Sequence, residues 1–415
     1  MTRKLYQEDV YQKECETTVL EVKGAGTAED PFIILLEDTI FFPTGGGQPC
    51  DLGSIGGIPL AEVFEEGDKV YHKMQPGSGP KVGDRVSCTL DWARRFEHMQ
   101  RHCGEHILSG IFFRETGGVN RGFHMGSDYM TIDIDVPGIT REEAQRIETL
   151  TNEVIWANVP VTTRFFENRA DAEKLPLRKA LAIDEAISIV CVGEESNPAD
   201  CVACCGTHPS TSGQIGLLKI FRLENYKGMT RVYFDAGRGA LEDYQKKHEI
   251  ITDLNKKFSS DDGNLLDKMK AQEEKNREVR QELYLMKNTF IAKAAEEITA
   301  TSGTASQTTL QADGTEFTAS RLVIREYPYF NVNDLLAVAK ALSEKNRLIV
   351  MISTRENVVI LASGGNPDCG KIVKDNASVW RGKGGGNATS ARAMFPGRED
   401  LECFVTYLRQ AYQNF

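Results

Sequence analysis

At 415 residues and 46.1 kDa the chain is too long for one hydrophobic core, so about two to four domains are expected. Its composition, 40% hydrophobic and 26% charged, is that of a globular protein. No run of about 18 apolar residues occurs, which argues against a transmembrane helix, and the opening MTRKLYQEDVYQKEC has no apolar signal region, so a cytoplasmic location is expected. A net charge of −11 argues against a generic nucleic-acid coat but leaves room for a local basic face.

Residues 1–90 read as β-rich: TTVLEVKG, FIILLED and DRVSCTLD are short alternating or apolar runs, punctuated by Gly, Pro and Asp. Between two of them lies FPTGGGQPCDLGSIGG, whose glycine triplet is either a tight turn or a place where another chain approaches the backbone. From Trp92 to Phe113 the period becomes helical, with Phe96, Met99, Gly104, Ile107, Leu108 and Ile111 near one face. A strand is expected over 129–136, then an amphipathic helix over 139–158 that opens on a Thr140/Glu143 capping box and turns Ile147, Leu150, Val154 and Ile155 inward. AISIVCVG and IGLLKIFRLEN read as buried strands either side of a cysteine cluster.

Residues 240–298 are rich in Lys, Glu, Asp and Gln. Leu241, Tyr244, Ile251, Leu254 and Phe258 have helical spacing, and SSDDGN at 259–264 breaks the pattern. Two antiparallel helices, covered by a partner helix or a second subunit, are expected. The remainder alternates the strands RLIVMIS and NVVILAS with the helical NVNDLLAVAKALSE (331–344) and EDLECFVTYLRQAY, an α/β pattern. It also carries a second glycine triplet, Gly384 to Gly386, beside Lys371, Lys374, Arg381, Lys383 and Arg392, which reads as a loop able to receive a sugar-phosphate backbone.

Chemistry concentrates in two places. RHCGEHILSG puts His102 and His106 one helical turn apart on one face, the geometry two metal-bound imidazoles need. About a hundred residues later, Cys204 and His208 repeat the four-residue spacing inside ADCVACCGTHPSTSGQIG. A thiolate with imidazoles suits Zn2+. Cys191, Cys201, Cys204 and Cys205 crowd into fifteen positions, which in a reducing compartment points to metal binding or catalysis rather than disulfides. Ligand pairs so far apart, in a chain with cores of its own, favour a catalytic ion over a closed structural one. His102, His106 and Cys204 are the firm ligands, with His208 either a fourth ligand or a nearby proton carrier.

These motifs resemble the free-standing alanyl-tRNA editing proteins of the AlaX type, long form, and the editing half of alanyl-tRNA synthetase. DTIFFPTGGGQPCDLG is similar to the family's signature loop, WARRFEHMQRHCGEH to its Arg-Arg segment leading into HxxxH, CCGTH to its CxxxH motif, and KGMTRVYFDAG to the strand that follows. WRGKGGGNATSARA resembles the glycine-rich segment of the DHHA1 domain. The matches cover about 1–240 and 305–415. The resemblance implies hydrolysis of the ester joining a wrong amino acid, serine foremost and glycine second, to tRNA(Ala), without aminoacylation, at one Zn2+ per chain. Such a second sieve is useful because one added hydroxyl is hard to reject by fit alone.

The resemblance further implies that Thr44, Gly45, Gly46, Gly47 and Gln48 approach the aminoacyl end or the terminal adenosine, that His124 lines the pocket, and that Arg381, Lys383, Gly384, Gly385 and Gly386 contact tRNA. Arg94 and Arg95 stand either at phosphate or on a solvated helix face. Glu105 occupies the place of a family threonine thought to help choose the amino acid, so Glu105, His124 and Gln48 form the expected catalytic set. Cys205 replaces the first glycine of CGGTH and, with Cys201, is an alternative to Cys204. The expected architecture is α+β multidomain: an N-terminal β-barrel-like domain (1–90), an α+β zinc editing core (91–239), a helical hairpin linker (240–300) and a DHHA1-like α/β domain (301–415). A homodimer through 240–298 and the C-terminal domain is expected. The competing readings are a zinc hydrolase of another ester or phosphoester, and a non-catalytic RNA-binding protein with a structural zinc.

Overall fold

A computed structural model describes residues 2–303, 322–342 and 347–413. It is mixed α and β with several sheets, divided into two compact units, Met1–Leu254 and Asn255–Phe415. The end of the helix expected over 331–344, and part of the domain expected from 301, lie outside the described residues. Among those described, no helix is long and apolar enough to cross a membrane.

In the first unit six strands pair in a ring of neighbours, in the order Glu14–Lys23, Ile33–Leu36, Lys69–Met74, Ile58–Glu66, Gly53–Ile55 and Arg85–Leu90. Alternation makes the ring's interior: along Arg85–Leu90 the side chains of Val86, Cys88 and Leu90 are buried and those between them exposed. They meet Val19, Ile34, Leu36, Ile55, Val63 and Val70 in one core.

The helix Trp92–Thr116 follows. Asp91 caps its first turn by accepting from the Arg94 N–H (3.1 Å), and Gly117, in the left-handed region, closes it. Its apolar stripe, Cys103, Ile107, Leu108, Ile111 and Phe112, packs on a four-stranded antiparallel sheet ordered Leu218–Tyr226, Met229–Ala236, Met130–Ile134, Asn120–Met125. The helix Arg141–Trp156 adds Ile147 and Ile155 to this core, and both halves of its Thr140/Glu143 capping box are made. A second antiparallel sheet, Val161–Asn168, Glu185–Val192 and Asp200–Ala203, carries the chain to Cys204.

Three buried ion pairs fix these parts. Arg95, fully buried, forks onto Asp51 and donates to the carbonyls of Ile40 (2.7 Å) and Val10 (2.9 Å). Asp51 also accepts from the Phe42 N–H (2.6 Å), so this pair clamps the first glycine loop to the helix. Arg101 binds Asp235 (2.8 Å), tying the helix to its sheet, and Arg178 binds Asp200 (2.5 Å). Of the two arginines expected at phosphate or on a solvated face, Arg95 is therefore internal; Arg94 donates to the Cys50 carbonyl (3.1 Å).

The helices Arg238–Phe258 and Leu265–Gly303 are separated at Ser259–Asn264, where the expected break falls. Leu241, Tyr244 and Ile251 stand exposed on the first, and Leu283, Tyr284, Met286 and Phe290 on the second. In the second unit five strands are ordered Leu322–Tyr327, Leu348–Ser353, Val358–Ala362, Ser390–Met394, Lys383–Gly386, the first pair parallel. The central strands are buried on both faces, and their alternate residues enter different cores. Leu348, Val350 and Ile352 meet the helices Cys369–Asn376 and Arg398–Tyr412, while Ile349 and Met351 meet Val332–Ala341 and the end of the long helix.

The second glycine triplet is not a loop, as expected, but the edge strand of this sheet, Gly384 to Gly386 pairing with Ala393 to Ala391. The reason is steric: a Cβ at Gly384 would lie 1.9 Å from the Arg392 carbonyl oxygen, so only glycine lets the two backbones lie this close.

Candidate metal centre

His102, His106, Cys204 and His208 come together, with one donor atom from each and all four atoms within 4.8 Å of one another. Cys204 Sγ lies 3.4 Å from His102 Nε2 and 3.7 Å from His208 Nε2. Ligands about 2.0–2.3 Å from a tetrahedral ion are separated by such distances.

The imidazoles are aimed by groups behind them. Gln48, fully buried, donates through Nε2 to Thr207 Oγ1 (2.9 Å) and accepts at Oε1 from the Thr207 N–H (3.1 Å). With its amide orientation fixed in this way, Oε1 also accepts from His102 Nδ1 (2.9 Å), leaving the Nε2 lone pair of His102 facing Cys204. His106 Nδ1 donates to Asp200 (3.0 Å), whose carboxylate is held in turn by Arg178. Among the described residues no hydrogen bond is made to the buried His106 Nε2, which faces Cys204 as an orphan that a metal ion would satisfy.

The charges agree. Burial opposes the Cys204 thiolate, but the surrounding His102, His208 and His106 rings outweigh it and hold the thiol well below its ordinary value. Burial also opposes a charged His106, yet the Cys204 thiolate and Asp200 lift it to about 10; His208 is held by burial at about 4. Surroundings that favour a thiolate are those in which a divalent cation takes the place of a proton. The four residues thus fit a Zn2+ ion.

Local sequence explains the approach. Gly46 and Gly47 both have positive φ (59° and 82°) in a turn closed by mutual Gly45–Gln48 hydrogen bonds, which delivers Gln48 inward. In CCGTH, a Cβ on Gly206 would lie 2.2 Å from His102 Cε1, so glycine is what lets this loop pass over the ring. Thr44 stays at the surface of that turn, its hydroxyl accepting from the Cys50 N–H (3.2 Å).

A cavity of 1340 Å3 opens onto the cluster, lined by His102, His106 and Cys204 together with Gly46, Glu105, Asn120 and Phe123. The Oε1 atom of Glu105 accepts from Ser109 Oγ (2.5 Å) and Asn120 Nδ2 (2.8 Å), which fixes the carboxylate at the cavity wall. His124 is not brought to the site. It is exposed on the strand Asn120–Met125, whose alternation turns Phe123 inward to stack on His102, ring centres 5.6 Å apart. Cys205 is exposed as a residue, but protein crowding on one side of its sulfur partly desolvates the thiol and raises it, and the charge of Cys204 adds to this. Cys201 and Cys191 face each other across their strand pair, Cα atoms 4.1 Å apart, and are joined by a disulfide. The expectation that the cysteine cluster forms no disulfide is corrected, and Cys201 leaves the ligand set.

In the second unit Arg381 forks onto Asp400 (2.8 and 2.9 Å), while Lys383 and the triplet stand exposed on the sheet edge. Sequence reasoning missed Asp200, Arg178, Asn120 and Phe123. Asp200 had a signal, an acid four residues before Cys204 in a buried strand; the others had none.

A family model described as the threonyl and alanyl tRNA synthetase second additional domain matches residues 187–233, the segment that contains Cys204 and His208. Across the chain, similarity extends to the alanyl-tRNA editing protein AlaX-L of Pyrococcus horikoshii, 26% identical over 409 residues and covering 94% of each chain. The alanyl-tRNA editing protein Aarsd1 of Danio rerio is 33% identical over 258 residues, 60% of this chain and 62% of that protein. The alanine–tRNA ligase of Pyrococcus abyssi is 27% identical over 98% of this chain, which spans 44% of the ligase.

Proposed function

We propose, from the premise that the chain belongs to the AlaX-type alanyl-tRNA editing proteins, that it hydrolyses the ester of tRNA(Ala) charged with a wrong amino acid, serine foremost and glycine second. The observation that carries the reading is a thiolate–imidazole cluster opening into a cavity large enough for an amino acid together with a nucleotide. Three of the four candidate ligands line that cavity, which favours a catalytic ion over a closed structural one.

A Zn2+ bound by His102, His106, Cys204 and His208 would supply Lewis-acid stabilisation of the charge that develops on the ester oxygen. The chain's own residues do the rest. Gln48 and Asp200 hold the rings of His102 and His106 with Nε2 inward. Glu105, anchored through one carboxylate oxygen, takes the proton of the attacking water with the other. Phe123 walls the site against bulk water from the side of His102. Gly46 keeps the cavity rim free of a side chain where the aminoacyl end enters.

In this reading residues 1–90 and 91–239 together make the hydrolytic part, and 301–415 contacts tRNA through Lys383 and the exposed backbone of Gly384, Gly385 and Gly386, with Arg381 held by Asp400. The exposed apolar residues of 240–298 support self-association. The test is release of serine and glycine from Ser-tRNA(Ala), Gly-tRNA(Ala) and, as control, Ala-tRNA(Ala), with and without chelator. Chelator-sensitive release from the wrong esters supports the reading; zinc-loaded protein that leaves both intact overturns it.

A further inference from the structure

Two consecutive cations, Arg178 and Lys179, line the same cavity as His102, His106 and Cys204. The Arg178 side chain is only 5% exposed, and its Nε and Nη2 are engaged by Asp200 at 2.5 and 3.2 Å. Its Nη1 is buried with no acceptor among the described residues. A buried donor left unpaired is costly, so the fold keeps at this point a group that an incoming oxygen would satisfy. Lys179 has no carboxylate within ion-pair distance among the described residues, and burial, followed by the charge of Arg178, holds its ammonium below the ordinary value.

Other cations at the cavity are spoken for: Arg3 pairs with Glu8 and Lys4 with Glu65. Of the acids that line it, Glu105 acts on both Arg178 and Lys179 through space but is bonded to Ser109 and Asn120; Asp68, Glu167 and Glu185 form no ion pair with either cation. An uncommitted guanidinium N–H beside an uncommitted ammonium is a site for an anion with several acceptor oxygens.

The proposed substrate offers one such group near its reacting ester. The ester and ribose are neutral and the amino group is basic, whereas the terminal nucleotide carries a 5′-phosphate. We infer that Arg178 Nη1 and Lys179 Nζ form a phosphate subsite for the terminal nucleotide of the substrate. This rests on the editing reading for the identity of the nucleotide, but not on hydrolysis for its detection. It also places one arginine between substrate and metal centre, since the guanidinium that meets the phosphate holds, through Asp200, the His106 ring.

The test is binding of 5′-AMP and of adenosine to the full-length, zinc-loaded protein, followed by calorimetry, with zinc content measured for every variant. A phosphate held by two charged donors favours 5′-AMP by about tenfold or more. Lys179→Ala, which leaves the Arg178–Asp200 fork in place, and Arg178→Lys, which keeps the charge but removes Nη1, each bring that preference close to one. Equal binding of the two ligands by the wild type, or a preference that survives in both variants, overturns the subsite. If the preference is present but misacylated tRNA is not hydrolysed, the editing reading falls and the subsite stands.

Discussion

Gln48 Oε1 and His102 Nδ1 lie 2.9 Å apart, although 54 residues separate them. The glycine triplet before Gln48 makes this contact possible: its turn drops an amide behind the ring, and the amide sets the tautomer that turns Nε2 toward Cys204 and the candidate metal centre. We propose for Gln48 a positioning role, because its amide is bonded to His102 and Thr207. Replacing Gln48 by Ala removes that constraint and orphans the buried Thr207 hydroxyl. Zinc affinity is expected to fall roughly 10- to 100-fold, as for other losses of a group behind a metal ligand. Competition with a chromophoric chelator measures it, and an affinity within a factor of two of the wild type would contradict the role.

The two adjacent cysteines are expected to separate cleanly. Cys204 has its sulfur among three imidazoles, while Cys205 is exposed and its thiol is raised rather than lowered. Cys204→Ser should lose stoichiometric zinc and at least about 100-fold in deacylation, the scale of removing one strong transition-state contact. Cys205→Ser should retain one zinc per chain. Metal analysis of both purified variants decides the point; zinc retained by the first and lost by the second would reverse the ligand assignment.

Acid should destabilise the protein through His72 before it does so through the carboxylates. His72 is fully buried between Thr39 Oγ1 (2.8 Å) and the Ile34 carbonyl (3.2 Å), and burial lowers it from 6.5 to about 4. Because the folded value is the lower one, the stability it protects is complete above pH 6.5, is lost as pH falls, and is gone near pH 4. The shift corresponds to roughly 3 kcal/mol at most. His98, buried and lowered to about 3, acts in the same direction. His72→Gln keeps a donor and an acceptor but cannot titrate, so urea unfolding across this window should show a shallower loss than in the wild type. Parallel curves for the two proteins would exclude His72 as a source of acid sensitivity.

What was legible in the sequence was whatever local spacing encodes. Two i, i+4 pairs define the candidate metal centre, alternation in DRVSCTLD gives a half-buried strand, and Thr140 with Glu143 gives a helix start. What was not legible depends on pairing between distant segments. Nothing local says that Arg95 is spent on Asp51, that Arg178 reaches Asp200, or that Cys191 falls opposite Cys201 in a strand register. The Gly384–Gly386 triplet misled for the same reason: in isolation it has the composition of a loop, and only the neighbouring strand, pressed against its backbone, makes it an edge.

The strand Asn120–Met125 carries the same lesson to a prediction. Side chains alternate faces along a strand, so a register error of one residue exchanges a site residue for a surface one. The sequence put His124 in the pocket; the structure puts Phe123 there, stacked on His102 and lining the cavity, and leaves His124 exposed on the far side. His124→Ala is therefore expected to deacylate within about twofold of the wild type, because a surface substitution away from special contacts shifts energies by about 0.5 kcal/mol or less. Phe123→Ala opens the wall beside a ligand and should cost about tenfold or more in kcat/KM while zinc content is retained. Rate measurements on Ser-tRNA(Ala) with both variants distinguish the two registers: a large loss in His124→Ala beside a silent Phe123→Ala would restore the face that the sequence suggested.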